Sequence, residues 1–137
     1  MQEKDLDEVE RLEQETFSIP WSRRSFFESI CKKENLYLIA REEDKLVGFC
    51  GLWGVGDEGQ ITHVCVQKEA RGKGVGTALL TKMIELGKER GLTAFTLEVR
   101  VGNTPARELY KKVGFWEAGI RKGFYDEPKE DAMIMWL

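Results

Sequence analysis

Residues 64–80 read VCVQKEARGKGVGTALL, and no other stretch of the chain constrains the fold as much. The short β-branched run Val64-Cys65-Val66 has strand character. A glycine-rich loop follows at Arg71-Gly72-Lys73-Gly74-Val75-Gly76. A helix then opens, in which Val75, Leu79, Leu80, Met83, Ile84 and Leu86 recur at spacings of three and four. Lys88 and Arg90 favour its C-terminal end through the dipole, and Gly91 ends it. Ala94–Val99 reads as the next strand. A strand, a helix and a second strand in this order require a crossover over one face of a sheet.

The flanks add to this unit. Leu6, Val9 and Leu12 recur at spacing three among charges, giving a first helix. The segment FSIPW, Phe17 to Trp21, breaks it at Pro20. Ser22 then caps a second helix to about Lys33, with Phe26, Phe27 and Ile30 as its apolar face. Leu36–Ala40, Leu46–Val55 and Ile61–Val66 read as strands separated by turns at Glu43-Asp44-Lys45 and Gly56-Asp57-Glu58-Gly59, an antiparallel meander. Thr104-Pro105 starts a later helix, with threonine as cap, Leu109 and Val113 inward, and Gly114 at its close. Phe115–Ile120 and Asp131–Leu137 are the last strands. The order ααβββαβαββ predicts an α/β (α+β) fold, a mixed, mostly antiparallel sheet with helices on both faces.

No linker or repeat divides the 137 residues, so one domain spanning 1–137 is expected. The 21 basic and 24 acidic residues nearly cancel to a net charge of -3, which gives no footprint for nucleic acid. No apolar run approaches the ~20 residues that span a bilayer. Residues 1 to 15 are too charged for a signal peptide. Cys31, Cys50 and Cys65 form no C-x-x-C pair and there is a single histidine, His63, so no structural zinc site is expected. All three cysteines lie among apolar residues and read as buried free thiols in a reducing, cytoplasmic compartment.

The loop at 71–76 is the first place to look for chemistry. Alternating glycines let backbone N–H groups converge, and the helix start adds unpaired donors and a positive partial charge. Together they suit a pyrophosphate, with Arg71 and Lys73 adding charge. A plain glycine-rich turn has the same composition. The spacing of a Walker A loop is absent. The G-x-G-x-x-G dinucleotide pattern also fails, because the third glycine comes one residue early and Thr77 stands in its place. Glu98 does fall ~20 residues later, where a ribose-binding acid would lie.

The run Arg71 to Gly76 matches the Q/R-x-x-G-x-G/A signature of the GCN5-related N-acetyltransferases. Leu97-Glu98-Val99-Arg100, Asn103 and Leu109-Tyr110-Lys111-Lys112-Val113-Gly114-Phe115 strengthen the match, and the element order is similar over nearly the whole chain. FSIPW, LEVR, LYKKVGF and RKGFY…EDAMIM together resemble the branch that acetylates the N-terminal alanine of ribosomal proteins. One departure is that members usually begin with a strand before the first helix. Here that strand is short or missing.

The resemblance implies acetyl-coenzyme A as donor and a protein N-terminus, alanine or serine of a ribosomal protein, as acceptor. A lysine or small-molecule amine is the alternative acceptor, and a non-catalytic acyl-coenzyme A sensor is a third reading. It implies that Arg71, Gly72, Lys73, Gly74, Val75, Gly76 and Thr77 hold the pyrophosphate. Val64, Cys65 and Val66 would serve the pantetheine arm and the oxyanion through backbone groups, and Asn103 would bond coenzyme A. Glu98 becomes the general base and Tyr110 the general acid, while Trp21 and Tyr125 flank the acceptor groove, with no metal. From the residues alone, Glu98 is equally a surface glutamate, Tyr110 a core aromatic and Asn103 a turn residue. Arg121 and Lys122 either meet an acidic substrate or are solvated. A rival chemistry also exists. His63 and Cys65 share a strand face, and such a pair can form an acyl-enzyme, although no orienting carboxylate is evident nearby. The identity of the acceptor and the oligomeric state are left open by the sequence.

Overall fold

A computed structural model describes residues 1–137. The chain passes through one 3₁₀ turn, Glu3–Asp5, into helix α1, Leu6–Thr16, and then α2, Arg23–Ile30. Strands β1 (Asn35–Glu42), β2 (Lys45–Val55) and β3 (Glu58–Val66) follow, then helix α3 (Val75–Glu89), β4 (Ala94–Arg100), α4 (Thr104–Val113), β5 (Trp116–Tyr125) and β6 (Glu130–Trp136). The expected order is present in full, and residues 1–5 hold no strand. No helix is long and apolar enough to cross a membrane.

The six strands form one sheet in the order β1-β2-β3-β4-β6-β5. Every pairing is antiparallel except β3 with β4. That exception is the strand–helix–strand unit, whose crossover is α3. The two faces of the sheet carry separate cores. On one face α1 and α2 place Leu6, Val9, Leu12 and Phe26 against Tyr37, Phe49 and Cys65. On the other, α3 and α4 place Leu79, Leu80, Met83 and Tyr110 against Cys50, Leu52, Ile61, Leu97 and Val99. Central strand β2 therefore reads as a continuous apolar run, because it is covered on both sides.

One irregularity in β3 matters for function. Leu52 pairs with Ile61 and Gly51 with His63, so Thr62 is an extra residue, a β-bulge. The bulge shifts the alternation of side chains. Ile61 belongs to the core under α3, whereas Cys65 belongs to the core under α1.

Several local expectations are corrected. Helix α2 stops at Ile30 rather than Lys33, and Phe27 is 38% exposed while Phe26 alone is fully buried. An eight-residue helix at the surface needs only a narrow apolar stripe. The turn before β3 is two residues shorter than the sequence suggests, since β3 begins at Glu58. Strand β5 continues beyond Ile120 to Tyr125. Cys50 and Cys65 are buried, but Cys31 is exposed at the end of α2. The cap of α4 is Asn103, not Thr104. Its side chain accepts the Ala106 N–H at 3.3 Å, and Thr104 is already helical.

Candidate active site

The parallel strands β3 and β4 pair only at their starts, Glu58 with Ala94, Gly59 with Phe95 and Gln60 with Thr96. Beyond the bulge at Thr62 they part. Residues Leu97–Arg100 of β4 pair only with β6, and the edge of β3 from Thr62 to Val66 faces β4 without a ladder. A sheet opened in this way presents backbone N–H and C=O groups that require partners. The opening leads into a cavity of about 1110 Å³, lined by both strands, the glycine loop, the first turn of α3, α4, the Phe17–Trp21 segment and the end of β5.

The glycine loop forms one wall. Gly72 and Gly74 have φ of 79° and 84°, the left-handed region in which a side chain is strained. A Cβ at either position would meet open space, so the requirement is conformational rather than steric. Gly74 is the N-cap residue of α3 and offers no side-chain cap, which leaves the first N–H groups of a 15-residue helix free. Val75, Gly76 and Thr77 form that first turn and line the cavity. These features fit a pyrophosphate. The flanking cations behave less simply. The Arg71 Nε donates to the Val66 carbonyl at 3.1 Å and braces the strand-to-loop corner. Lys73 leans toward Glu42, 3.9 Å away, with both side chains exposed.

Glu98 and Tyr110 both line the cavity but come from different faces. Along β4 the buried residues Phe95, Leu97 and Val99 pack under α3 and α4, so Glu98 projects to the opposite side. Its side chain is 31% exposed, and Arg121 Nη1 lies 3.6 Å from its Oε1. That pairing gives Arg121 a role within the protein that the sequence had left between substrate contact and solvation. Tyr110 is 8% exposed and packs with Phe115 in the core under α4. Burial pushes its hydroxyl well above the usual value for a phenol, with Tyr125 and Cys50 adding to the effect. The proton therefore stays on at neutral pH, the state that a donor requires.

Asn103 also lines the cavity while its Oδ1 caps α4, so the structural and ligand-facing placements coexist. Tyr125, at the end of β5, lies under the Arg100 guanidinium, 4.5 Å from its ring centre. Burial pushes its hydroxyl up to about 12, with nearby Glu98 contributing. Arg100 also donates to the carbonyls of Pro128 at 2.7 Å and Asp126 at 3.1 Å, and this fastens the loop between β5 and β6 over the cavity.

The Phe17–Trp21 segment forms the remaining wall. The Trp21 ring centre lies 4.5 Å from that of His63, 5.3 Å from Phe26 and 5.8 Å from Trp53. The Trp21 backbone N–H donates to Glu13 Oε2 at 3.0 Å. Glu13, which sequence reasoning passed over as one more charge on α1, is only 2% exposed. Its Oε2 lies 3.4 Å from His63 Nε2. The carboxyl group missing from the His63 and Cys65 pair is thus present, but the acyl-enzyme chemistry does not follow. His63 Nδ1 lies 3.0 Å from Thr62 Oγ1, and the Cys65 thiol donates instead to Thr16 Oγ1 at 3.2 Å. Burial pushes that thiol up to about 11, the reverse of an activated nucleophile. The only sequence signal for Glu13 was its position one residue after Leu12, on the inward stripe of α1.

Comparison with known proteins identifies the family of the chain. The sequence profile of the acetyltransferase (GNAT) family matches residues 6–115. A Bacillus subtilis protein provisionally named ribosomal protein bS18-alanine N-acetyltransferase is 40% identical over 138 residues, covering 100% of this chain and 91% of that protein. The ribosomal protein bS18-alanine N-acetyltransferase of Salmonella typhimurium is 35% identical over 136 residues, covering 97% and 90%. The crystal structure of the ribosomal-protein-S18-alanine N-acetyltransferase from Escherichia coli superposes with a TM-score of 0.90 at 32% identity, covering 100% of this chain and 89% of that one. The chain is an acyltransferase that belongs to the acetyltransferase (GNAT) family.

Proposed function

We propose that this chain, acting as one domain in the cytoplasm, acetylates the N-terminal alanine or serine of a ribosomal protein, with acetyl-coenzyme A as donor. The observation that carries this reading is the opening between β3 and β4, which joins the glycine loop to Glu98 and Tyr110 in one cavity. The similarity to proteins named for bS18-alanine acetylation supports the choice of acceptor.

In this reading the loop amides and the first turn of α3 hold the pyrophosphate. The backbone of Val64, Cys65 and Val66 takes up the amide groups of the pantetheine arm, extending the unpaired edge of β3 as a further strand would. Asn103 offers its Nδ2 to coenzyme A while its Oδ1 remains on the cap. Trp21 and Tyr125 flank the acceptor.

An α-amino group has a pKa of about 8 and must lose a proton to attack. Once that proton has left to solvent, the neutral amine attacks, and Glu98, directly or through a water, takes the second proton that nitrogen sheds as the C–N bond forms. A backbone N–H of β3 steadies the oxyanion of the tetrahedral intermediate. Its collapse breaks the C–S bond, and Tyr110 supplies a proton to the departing thiolate. The products are an acetylated N-terminus and free coenzyme A.

The test is mass spectrometry of peptides incubated with the protein and acetyl-coenzyme A. The panel holds Ala- and Ser-starting peptides, the same peptides with blocked N-termini, and peptides with internal lysine. One acetyl group on free N-termini alone is the expected result. Transfer to lysine alone would reject the N-terminal reading and keep the chemistry.

A further inference from the structure

Glu13 holds the molecule's one buried side-chain oxygen or nitrogen without a hydrogen-bond partner, its Oε1. Leaving such an atom unpaired is costly, and natural structures keep few of them. The other carboxyl oxygen, Oε2, is tied to the Trp21 N–H at 3.0 Å and lies 3.4 Å from His63 Nε2. His63 is itself fixed. It sits beside Thr62 Oγ1 and among the rings of Trp21, Phe26 and Phe49. The carboxyl group is therefore held through Oε2 while Oε1 is buried without a partner, and Glu13 lines the cavity beside the Phe17–Trp21 segment.

A buried carboxyl oxygen needs a donor, and the incoming acceptor brings one. This step rests on the N-terminal acetyltransferase reading above. A chain N-terminus brings two donors close together, its amine and the amide N–H of its second residue. The amine does not suit Glu13, because a second carboxyl group beside it would favour the ammonium form, which cannot attack. The amide N–H has no such conflict, and adjacent Cα atoms across a trans peptide stand only about 3.8 Å apart.

We propose that Glu13 Oε1 accepts the N–H of the peptide bond between the first and second residues of the acceptor, and so selects chain termini over simple amines. His63 is a positioning residue that holds Oε2 and leaves Oε1 for the substrate. The contact fixes the chain one bond beyond the reacting nitrogen, so that nitrogen reaches the gap between β3 and β4 with its lone pair free.

The experiment compares two acceptors, an Ala-starting peptide and its depsipeptide, in which an ester oxygen replaces that one N–H. Wild type should lose about tenfold in kcat/KM on the ester, the worth of one good hydrogen bond at about 1.4 kcal/mol. In Glu13→Gln the carbonyl oxygen is claimed by the Trp21 N–H, so an NH2 group occupies the free position and opposes the substrate N–H. That variant should lose about tenfold or more on the peptide and no longer discriminate against the ester. Its KM for acetyl-coenzyme A should stay within about twofold of wild type, a separation that general loosening of the fold would not give. Glu13→Ala should likewise treat the two acceptors alike. Equal rates on both acceptors in wild type, or the same ester penalty in all three proteins, would overturn the proposal while leaving the N-terminal reading intact. No transfer to either acceptor by wild type would overturn both.

Discussion

Glu98 and Tyr110 reach the gap from opposite faces of the sheet, and each position follows from simple periodicity. Alternation along β4 buries Leu97 and Val99 and turns Glu98 away from them. On α4, Tyr110 lies on the inward face, where desolvation holds its proton in place. Substitution should separate chemistry from binding. Glu98→Gln and Tyr110→Phe should each lower kcat by about a hundredfold or more, while calorimetric affinity for acetyl-coenzyme A stays within about threefold. Phe at 110 keeps the ring packed on Phe115, so the loss should not be one of folding. The Glu98→Gln rate should also rise with pH through the amine's pKa of about 8, since only the neutral amine attacks and the variant must leave the later proton to solvent. Unchanged turnover in both variants would remove these two residues from the mechanism. Pattern alone left Glu98 poised between core wall and solvent. The packing of Leu97 and Val99 under α3 and α4 settles which way it projects.

Among the elements, α4 shows how one residue can carry two tasks. Asn103 caps the helix through Oδ1 and also lines the cavity. Asn103→Ala should cost about 1 kcal/mol of stability, the usual worth of an N-cap, and should also raise KM for acetyl-coenzyme A. Asn103→Asp should keep the cap, because a carboxylate at a helix N-terminus is favourable. It should nevertheless raise KM by placing negative charge beside a phosphate-bearing ligand. An Asp variant with normal stability and normal KM would leave Asn103 as a cap alone. The elements themselves were legible because their signals are local. The periodicity of α3, the glycines before it, and Ser22 accepting from the Ser25 N–H all stand where the sequence put them. What misled was a choice between neighbours of similar chemistry. Asn103 and Thr104 are both good caps, and geometry decides between them. Glu13 was illegible for a different reason. A glutamate on an acidic helix reads as solvated unless one knows that Trp21 and His63 fold back onto it.

At the scale of the whole molecule, two cores press on one sheet that is deliberately incomplete. Three residue pairs join β3 to β4, and then the strands separate. The bulge at Thr62 marks the point of separation, and a bulge cannot be read from composition, because any residue can occupy it. The mixed, mostly antiparallel sheet and the two-faced packing were readable from element order, whereas the insertion of β6 between β4 and β5 and the opening were not. The opening has a measurable signature. Amides of Thr62–Val66 that face the gap lack a strand partner, so they should exchange hydrogen faster than those of β1 and β2, which are paired along their lengths. Binding of coenzyme A has two effects that can be told apart. By mass action it stabilises the whole fold by about 2.7 kcal/mol at a hundred times Kd, which slows only amides that exchange through global unfolding. If the pantetheine arm pairs with β3, the gap-facing amides should slow by at least tenfold even under conditions where exchange is local, while amides of Gly119 and Ile120 on edge strand β5 stay unchanged. Saturating coenzyme A that slows the glycine-loop amides and leaves Thr62–Val66 untouched would place the pyrophosphate correctly and move the arm away from β3.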